Sequence, residues 1–155
     1  MSVLLATKKI IKEWTDYNNH MNLSYYILRF DIGAEVILSK FKMGEHSAKT
    51  TKKSTMVVET HTTYNQEVKE GDEVDVSLAY FDHDSKRLQY KLEMYDKAKN
   101  VLSATTEVLS LYIDLNKRKV AEFENEKIKI MDEFIDKHKN KFMSENLHFL
   151  NKIKK

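Results

Sequence analysis

Thr15-Asp16-Tyr17-Asn18-Asn19-His20-Met21-Asn22 runs directly into Leu23-Ser24-Tyr25-Tyr26-Ile27-Leu28-Arg29-Phe30, and the reading of this junction decides the fold. The first stretch is polar and rich in Asn and Asp, residues that make turns and helix caps. After it, Leu23, Ile27, Phe30, Ala34, Ile37 or Leu38, and Phe41 recur at spacings of three and four. That period predicts one amphipathic helix of about 19 residues, roughly 28 Å long, with Asn22 as its N-cap and Gly44 as its stop. Gly33 inside it costs ~1 kcal/mol against alanine, which predicts close packing against a sheet or a partner helix. Upstream, Ala6–Trp14 reads as a short strand.

From Thr55 the period changes to two. Met56, Val58, Thr60, Thr62 and Tyr64 share one parity, and Val57, Glu59, His61, Thr63, Asn65 and Glu67 the other. Two more alternating runs follow, Val74–Tyr80 and Leu88–Met94, and Val101–Ile113 reads as a further long strand. Lys69-Glu70-Gly71-Asp72, His83-Asp84-Ser85 and Lys97–Asn100 are the turns, Gly71 standing in a hairpin. Twisted strands of this length curl around something as long as a helix, so the expected fold class is α+β, a long antiparallel sheet wrapped around the Leu23–Phe41 helix. The expected domain spans residues 1–123. The expected C-terminal helical extension spans 124–155, with Ile128, Met131, Ile135, His138 and Phe142 at helical spacing and a second stretch from Ser144 through Leu147, Leu150 and Ile153. Its basic end suits either a membrane surface or acidic partner, or a solvated helix packed on the domain.

Composition narrows the function classes. A chain of 155 residues is one domain's length, and zero Pro with three Gly fits long uninterrupted elements. Zero Cys removes disulfides, thiolate nucleophiles and Cys-based zinc sites, and fits a reducing, cytoplasmic setting. The net charge of +2 gives no global basic field for nucleic acid, and no apolar run is long enough for a membrane span. No HExxH, P-loop or GxGxxG is present.

The polar turn is also where chemistry would sit. Asp16, Asn18, His20 and Asn22 crowd a helix N-terminus, where unpaired backbone N–H groups and the positive end of the dipole favour a developing oxyanion. The alternative is that these residues serve as turn and cap alone. Asp16-Tyr17-Asn18-Asn19-His20-Met21-Asn22 followed by Tyr25-Tyr26 resembles the signature of hotdog-fold acyl thioesterases. The Asp-x-Asn-x-His run is similar to that of acyl-carrier-protein thioesterases, and Tyr64-Asn65-Gln66-Glu67 matches their later Tyr-x-x-Glu. Asp16 ahead of Tyr26 matches the 4-hydroxybenzoyl-CoA thioesterase group. The motif, with Val58-Glu59-Thr60-His61 and Lys86-Arg87-Leu88, is closest to betainyl-CoA thioesterases over residues 8 to about 123. Asn19 stands where these relatives carry Gly, and Gln89 where a His is common.

The resemblance implies an acyl-CoA thioesterase with a hotdog fold, no cofactor and no metal, assembled as a homodimer or homotetramer with Glu67 facing Asp16 from the neighbouring chain. Asp16, Asn18, His20 and Glu67 are the implied catalytic set, with either carboxylate as base or nucleophile. The N–H groups at Asn22–Leu23 would bind the oxyanion. Trp14, Tyr17, Tyr25 and Tyr64 would form an aromatic cage for a quaternary ammonium, or else be plain core. Lys86 and Arg87 would reach CoA phosphates or stand as an exposed hairpin pair. His61 and Glu59 share a strand face with Glu67 and would line the pocket, or else face solvent or a subunit interface. His46, His83, His138 and His148 are surface or packing residues. Two rivals stand beside this reading: a non-catalytic acyl- or partner-binding module, and a hotdog hydratase, whose Asp and His are five residues apart where Asp16 and His20 are four apart.

Overall fold

The computed structural model describes residues 2–155. Asn22 caps the long helix α1 (Leu23–Lys40) as expected, its side-chain oxygen accepting from Ser24 N at 3.0 Å. The strands are β1 (Val3–Lys9), β2 (Lys53–Tyr64), β3 (Glu73–His83), β4 (Arg87–Asp96), β5 (Val101–Asp114) and the two-residue β6 (Lys119–Val120). They form one antiparallel sheet in the order β1-β3-β4-β5-β2, with β6 on the end of β5. The sheet curls around α1, whose Tyr26, Arg29, Phe30, Gly33, Ala34 and Ile37 are buried. Gly33 is needed for close packing, because a Cβ there would stand 2.8 Å from Val76 Cγ1.

Several sequence expectations shift. The first strand begins at Val3 and ends at Lys9, since its register is set by β3 (Val3 opposite Leu78, Lys9 opposite Glu73), and Lys12–Trp14 is a single 3-10 turn. Leu23 and Ile27 are exposed, so α1 carries apolar residues beyond its buried stripe. The helix ends through Lys42 at φ 60°, while Gly44 is the N-cap of a short helix, α2 (Glu45–Thr50). Gly71 (φ 88°) lies in a turn but not a hairpin: β2 pairs with β5 across the sheet, and Gly71 N instead donates to Ile10 O at the end of β1.

The C-terminal part is half helix and half strap. Helix α3 (Asn125–His138) buries Met131 completely within the same core cluster as α1 and the sheet. The expected second helix from Ser144 is absent. Residues 143–155 cross the outer face of the sheet as irregular chain, because side chains of the sheet and of the β3–β4 turn bond the strap's backbone. Glu107 accepts from His148 N (2.7 and 2.9 Å) and Phe149 N (2.9 Å), Gln89 Nε2 donates to Phe149 O (3.0 Å), and Lys154 N donates to Asp84 (2.9 Å). Phe149 is 4% exposed under this arrangement.

Candidate active site

The Thr15–Asn22 turn folds on itself. Thr15 and Met21 form an isolated antiparallel bridge, Asp16 N donates to His20 O, and Asn19 N donates to Asp16 O at 2.9 Å. Asn19 adopts φ 62°, the left-handed conformation that asparagine tolerates best after glycine, so the turn survives the substitution noted above. The Asp16 carboxylate is held at both oxygens: Oδ1 accepts from Asn18 N at 2.8 Å and Oδ2 from Asn22 Nδ2 at 3.2 Å. Asn22 therefore joins the helix cap to the carboxylate.

His20 Nδ1 lies 3.2 Å from Met21 O, a carbonyl that only an N–H can satisfy, which leaves Nε2 as the ring nitrogen free to accept. At the helix N-terminus, Asn22 N donates to Trp14 O, Ser24 N to the Asn22 side chain and Tyr25 N to Asn22 O. Leu23 N alone in this group has no acceptor among the described residues, so of the two N–H groups expected at an oxyanion only Leu23 N is free.

A cleft of about 460 Å³ opens over this turn, lined by Asp16, Tyr17, Asn18, His20, Asn22, Leu23, Tyr26 and the Tyr64–Glu67 segment. Glu67 thus lines the same cleft as Asp16 within one chain. Tyr26, not singled out as a site residue, fixes that wall. Its hydroxyl donates to Gln66 O (3.3 Å) and accepts from Val68 N (3.1 Å), and its ring meets Tyr64 edge-on at 5.2 Å. Burial pushes its hydroxyl pKa up, so it stays a neutral donor. Its spacing from Asp16, noted in the resemblance, was the sequence signal for it. Glu67 is exposed and pairs with Lys69 at 3.3 Å.

Other expected site residues lie elsewhere. His61 is not in the cleft: it sits on the outer face of β2, stacked on His148 at 3.7 Å, beside Glu59, which pairs with Lys152 at 3.5 Å. The β2 alternation ends at Tyr64, so parity says nothing about Glu67. Lys86 and Arg87 lie at the β3–β4 turn, near the C-terminal end of α1 and away from the Asp16 cleft, and Arg87 Nη1 is paired with buried Asp84 at 2.7 Å. Burial would raise the Asp84 pKa, but N–H donors from Lys86, Lys154 and Arg87 outweigh it and hold it below the usual carboxylate range.

The four aromatics do not form one cage. Trp14 and Tyr25 stack on each other at 6.0 Å, and the cation over the Trp14 ring is Arg29, 5.9 Å away. Tyr17 (92% exposed) and Tyr64 instead line the cleft.

Residues 11–138 match the thioesterase-like superfamily. The chain belongs to that superfamily: it is a hotdog-fold thioester hydrolase. It is 27% identical over 141 residues to a betainyl-CoA thioesterase of Pseudomonas aeruginosa, covering 90% of this chain and 89% of that protein. The fold is shared with a hypothetical protein of Staphylococcus aureus solved in complex with CoA (TM-score 0.81, 22% identity, 97% of this chain and 92% of that one). It is shared too with a 1,4-dihydroxy-2-naphthoyl-CoA thioesterase of Synechocystis (TM-score 0.73, 15% identity, 82% of this chain and 93% of that one). No helix among the described residues is long and apolar enough to cross a membrane.

Proposed function

We propose that this protein hydrolyses the thioester of small acyl-CoA substrates in the Asp16 cleft, with Asp16 as the reacting carboxylate. The observation that carries this is the two-point grip on Asp16 by Asn18 N and Asn22 Nδ2, which aims an acceptor at a cleft beside a free helix N–H. Asp16, acting as general base, takes a proton from water as the water oxygen bonds to the thioester carbon. Leu23 N–H and the helix dipole stabilise the oxyanion. The C–S bond then breaks, and the CoA thiolate leaves without an acid catalyst of its own. His20 Nε2 and Asn18 orient the water, and Glu67 closes the opposite wall. A variant of this chemistry has Asp16 attack the carbonyl directly, with water cleaving the resulting anhydride.

Residues 1–123 carry this chemistry and residues 124–155 cover the sheet. A homodimer forms through β2, which pairs only with β5 and exposes Met56, Val57 and Val58 beside Leu23 and Ile27 of α1; an unpaired apolar edge strand needs a partner. The absence of cysteine suits a cytoplasmic setting. A betainyl group, taken by the P. aeruginosa relative, would meet Tyr17, Tyr26 and Tyr64 here and not the Trp14–Tyr25 pair. The test is thiol release from a panel of CoA esters by the purified full chain. Release of free thiol is expected; stabilisation by acyl-CoA without release would instead support a binding module.

A further inference from the structure

Arg29, on the buried side of α1, is 5% exposed and has no anion to meet. Its Nε lacks a hydrogen-bond partner among the described residues, and burial pulls its pKa down with no neighbouring charge to oppose it. Arginine stays charged under such a shift, so a cation is held away from water without a counter-ion. What it meets is an aromatic ring: its Cζ lies 5.9 Å from the centre of Trp14. An apolar side chain of similar length would fill the same place without the cost of desolvating a charge. What arginine adds is attraction for a π face, which fixes where the indole lies.

Trp14 stands at the foot of the Asp16 turn. Its carbonyl accepts from Asn22 N at 2.9 Å, below the Thr15–Met21 bridge and the Asp16 N to His20 O bond. The backbone from Thr15 to Met21 is therefore a loop closed at its base by Trp14 and Asn22. Asn22 is tied to α1 as its cap. Trp14 lies outside the helix, and its side chain makes the tie. The indole stacks on Tyr25 at 6.0 Å, and Arg29 follows Tyr25 by four residues on the same helix face. With that second tie loosened, Asn22 and the Asp16 carboxylate it holds at 3.2 Å would be anchored from one end.

We infer that Arg29 is a positioning residue for Asp16: its unpaired guanidinium pins the Trp14 indole to α1 and so fixes the base of the turn that aims the carboxylate. This rests on the thioesterase reading of the Asp16 cleft and adds to it a residue that does not line the cleft. A loose base lets Asp16 drift from Leu23 N–H. A displacement of about 1 Å at a reacting group can slow chemistry by about a hundredfold. Binding of the acyl-CoA, made by the cleft walls, stays as it is.

The experiment compares Arg29→Met, Trp14→Phe and the double variant with the parent, all as full chains, by thiol release, melting curves and amide exchange at Asn22. Trp14 is the only tryptophan in the sequence, so its fluorescence reports on the indole directly. Arg29→Met should keep the parental melting temperature or exceed it, because a buried unpaired charge is removed. Acrylamide should quench Trp14 more strongly and the Asn22 amide should exchange faster. The kcat should fall about tenfold or more, with KM little changed. The double variant should be no slower than the slower single one, since both changes break one contact. Should Arg29→Met fail to fold, Trp14→Phe carries the same exchange and kcat expectations. Parental kcat and quenching in Arg29→Met, lost stability with kcat intact, or losses that add in the double variant would overturn the positioning role. If the parent releases no thiol, the catalytic reading fails separately. In that case stronger quenching and faster Asn22 exchange in Arg29→Met still support the pin, and their absence overturns it.

Discussion

The Asp16 turn and the C-terminal strap are both irregular backbone held by buried or half-buried carboxylates, yet they are held in opposite ways. Asp16 is gripped by Asn18 and Asn22, two and six residues away. The strap is gripped by Glu107, Gln89 and Asp84, from 41 to 70 residues away. The turn is a local device that a short stretch of sequence specifies. The strap has no structure of its own until the sheet exists to bond it. This difference predicts which changes affect activity and which affect stability.

The largest stability effect belongs to the strap. Glu107→Ala removes the acceptor of two backbone N–H groups and should cost about 2–4 kcal/mol. Amides at 148 and 149 should exchange faster while thiol release per folded molecule is unchanged. Amides that stay protected would show that Phe149 packing holds the strap without Glu107.

Asn22→Ala acts on the turn and should sharpen the contrast. It removes a helix cap, costing about 1 kcal/mol, and also frees Asp16 Oδ2. Turnover should therefore fall at least tenfold beyond the small loss in melting temperature. Stability loss with unchanged turnover would reduce Asn22 to a cap.

A smaller, pH-dependent effect separates the α3 junction from both. Burial would raise Glu124, but hydrogen bonds from Lys53, its own backbone N–H, Tyr112 and Lys127 outweigh it and hold the carboxyl at about 2. A depressed folded pKa stabilises above the ordinary carboxylate value, and that stability is lost as pH falls from about 4.5 towards 2. Acid titration of Glu124→Gln should show a shallower loss across that window than the parent; identical slopes would remove Glu124 from the acid response.

The same contrast explains what the sequence revealed. The cap at Asn22, the length of α1, the tight seat of Gly33 and the alternation of β3 to β5 are local patterns, and the structure has them. The Asp16–His20–Glu67 grouping was legible because most of it lies on one turn, with Tyr64-Asn65-Gln66-Glu67 as a recognisable motif. The start of β1 was hidden because β3, about 70 residues on, sets it. Helical spacing in 144–153 misled because bonds from the sheet and the β3–β4 turn override local preference. His61 went to the outer face because parity fixes a residue's face only within its own strand. The cage failed because nothing local shows that Arg29, 95% buried, takes the Trp14 face.

Asp16 as the reacting carboxylate is tested by acyl-CoA thiol release from Asp16→Asn and Glu67→Gln beside the parent chain, with a melting curve for each. A folded Asp16→Asn protein should be slowed roughly 10²–10⁴-fold, with a lesser loss for Glu67→Gln. Two folded variants that both hydrolyse at near-parental rates would contradict that assignment.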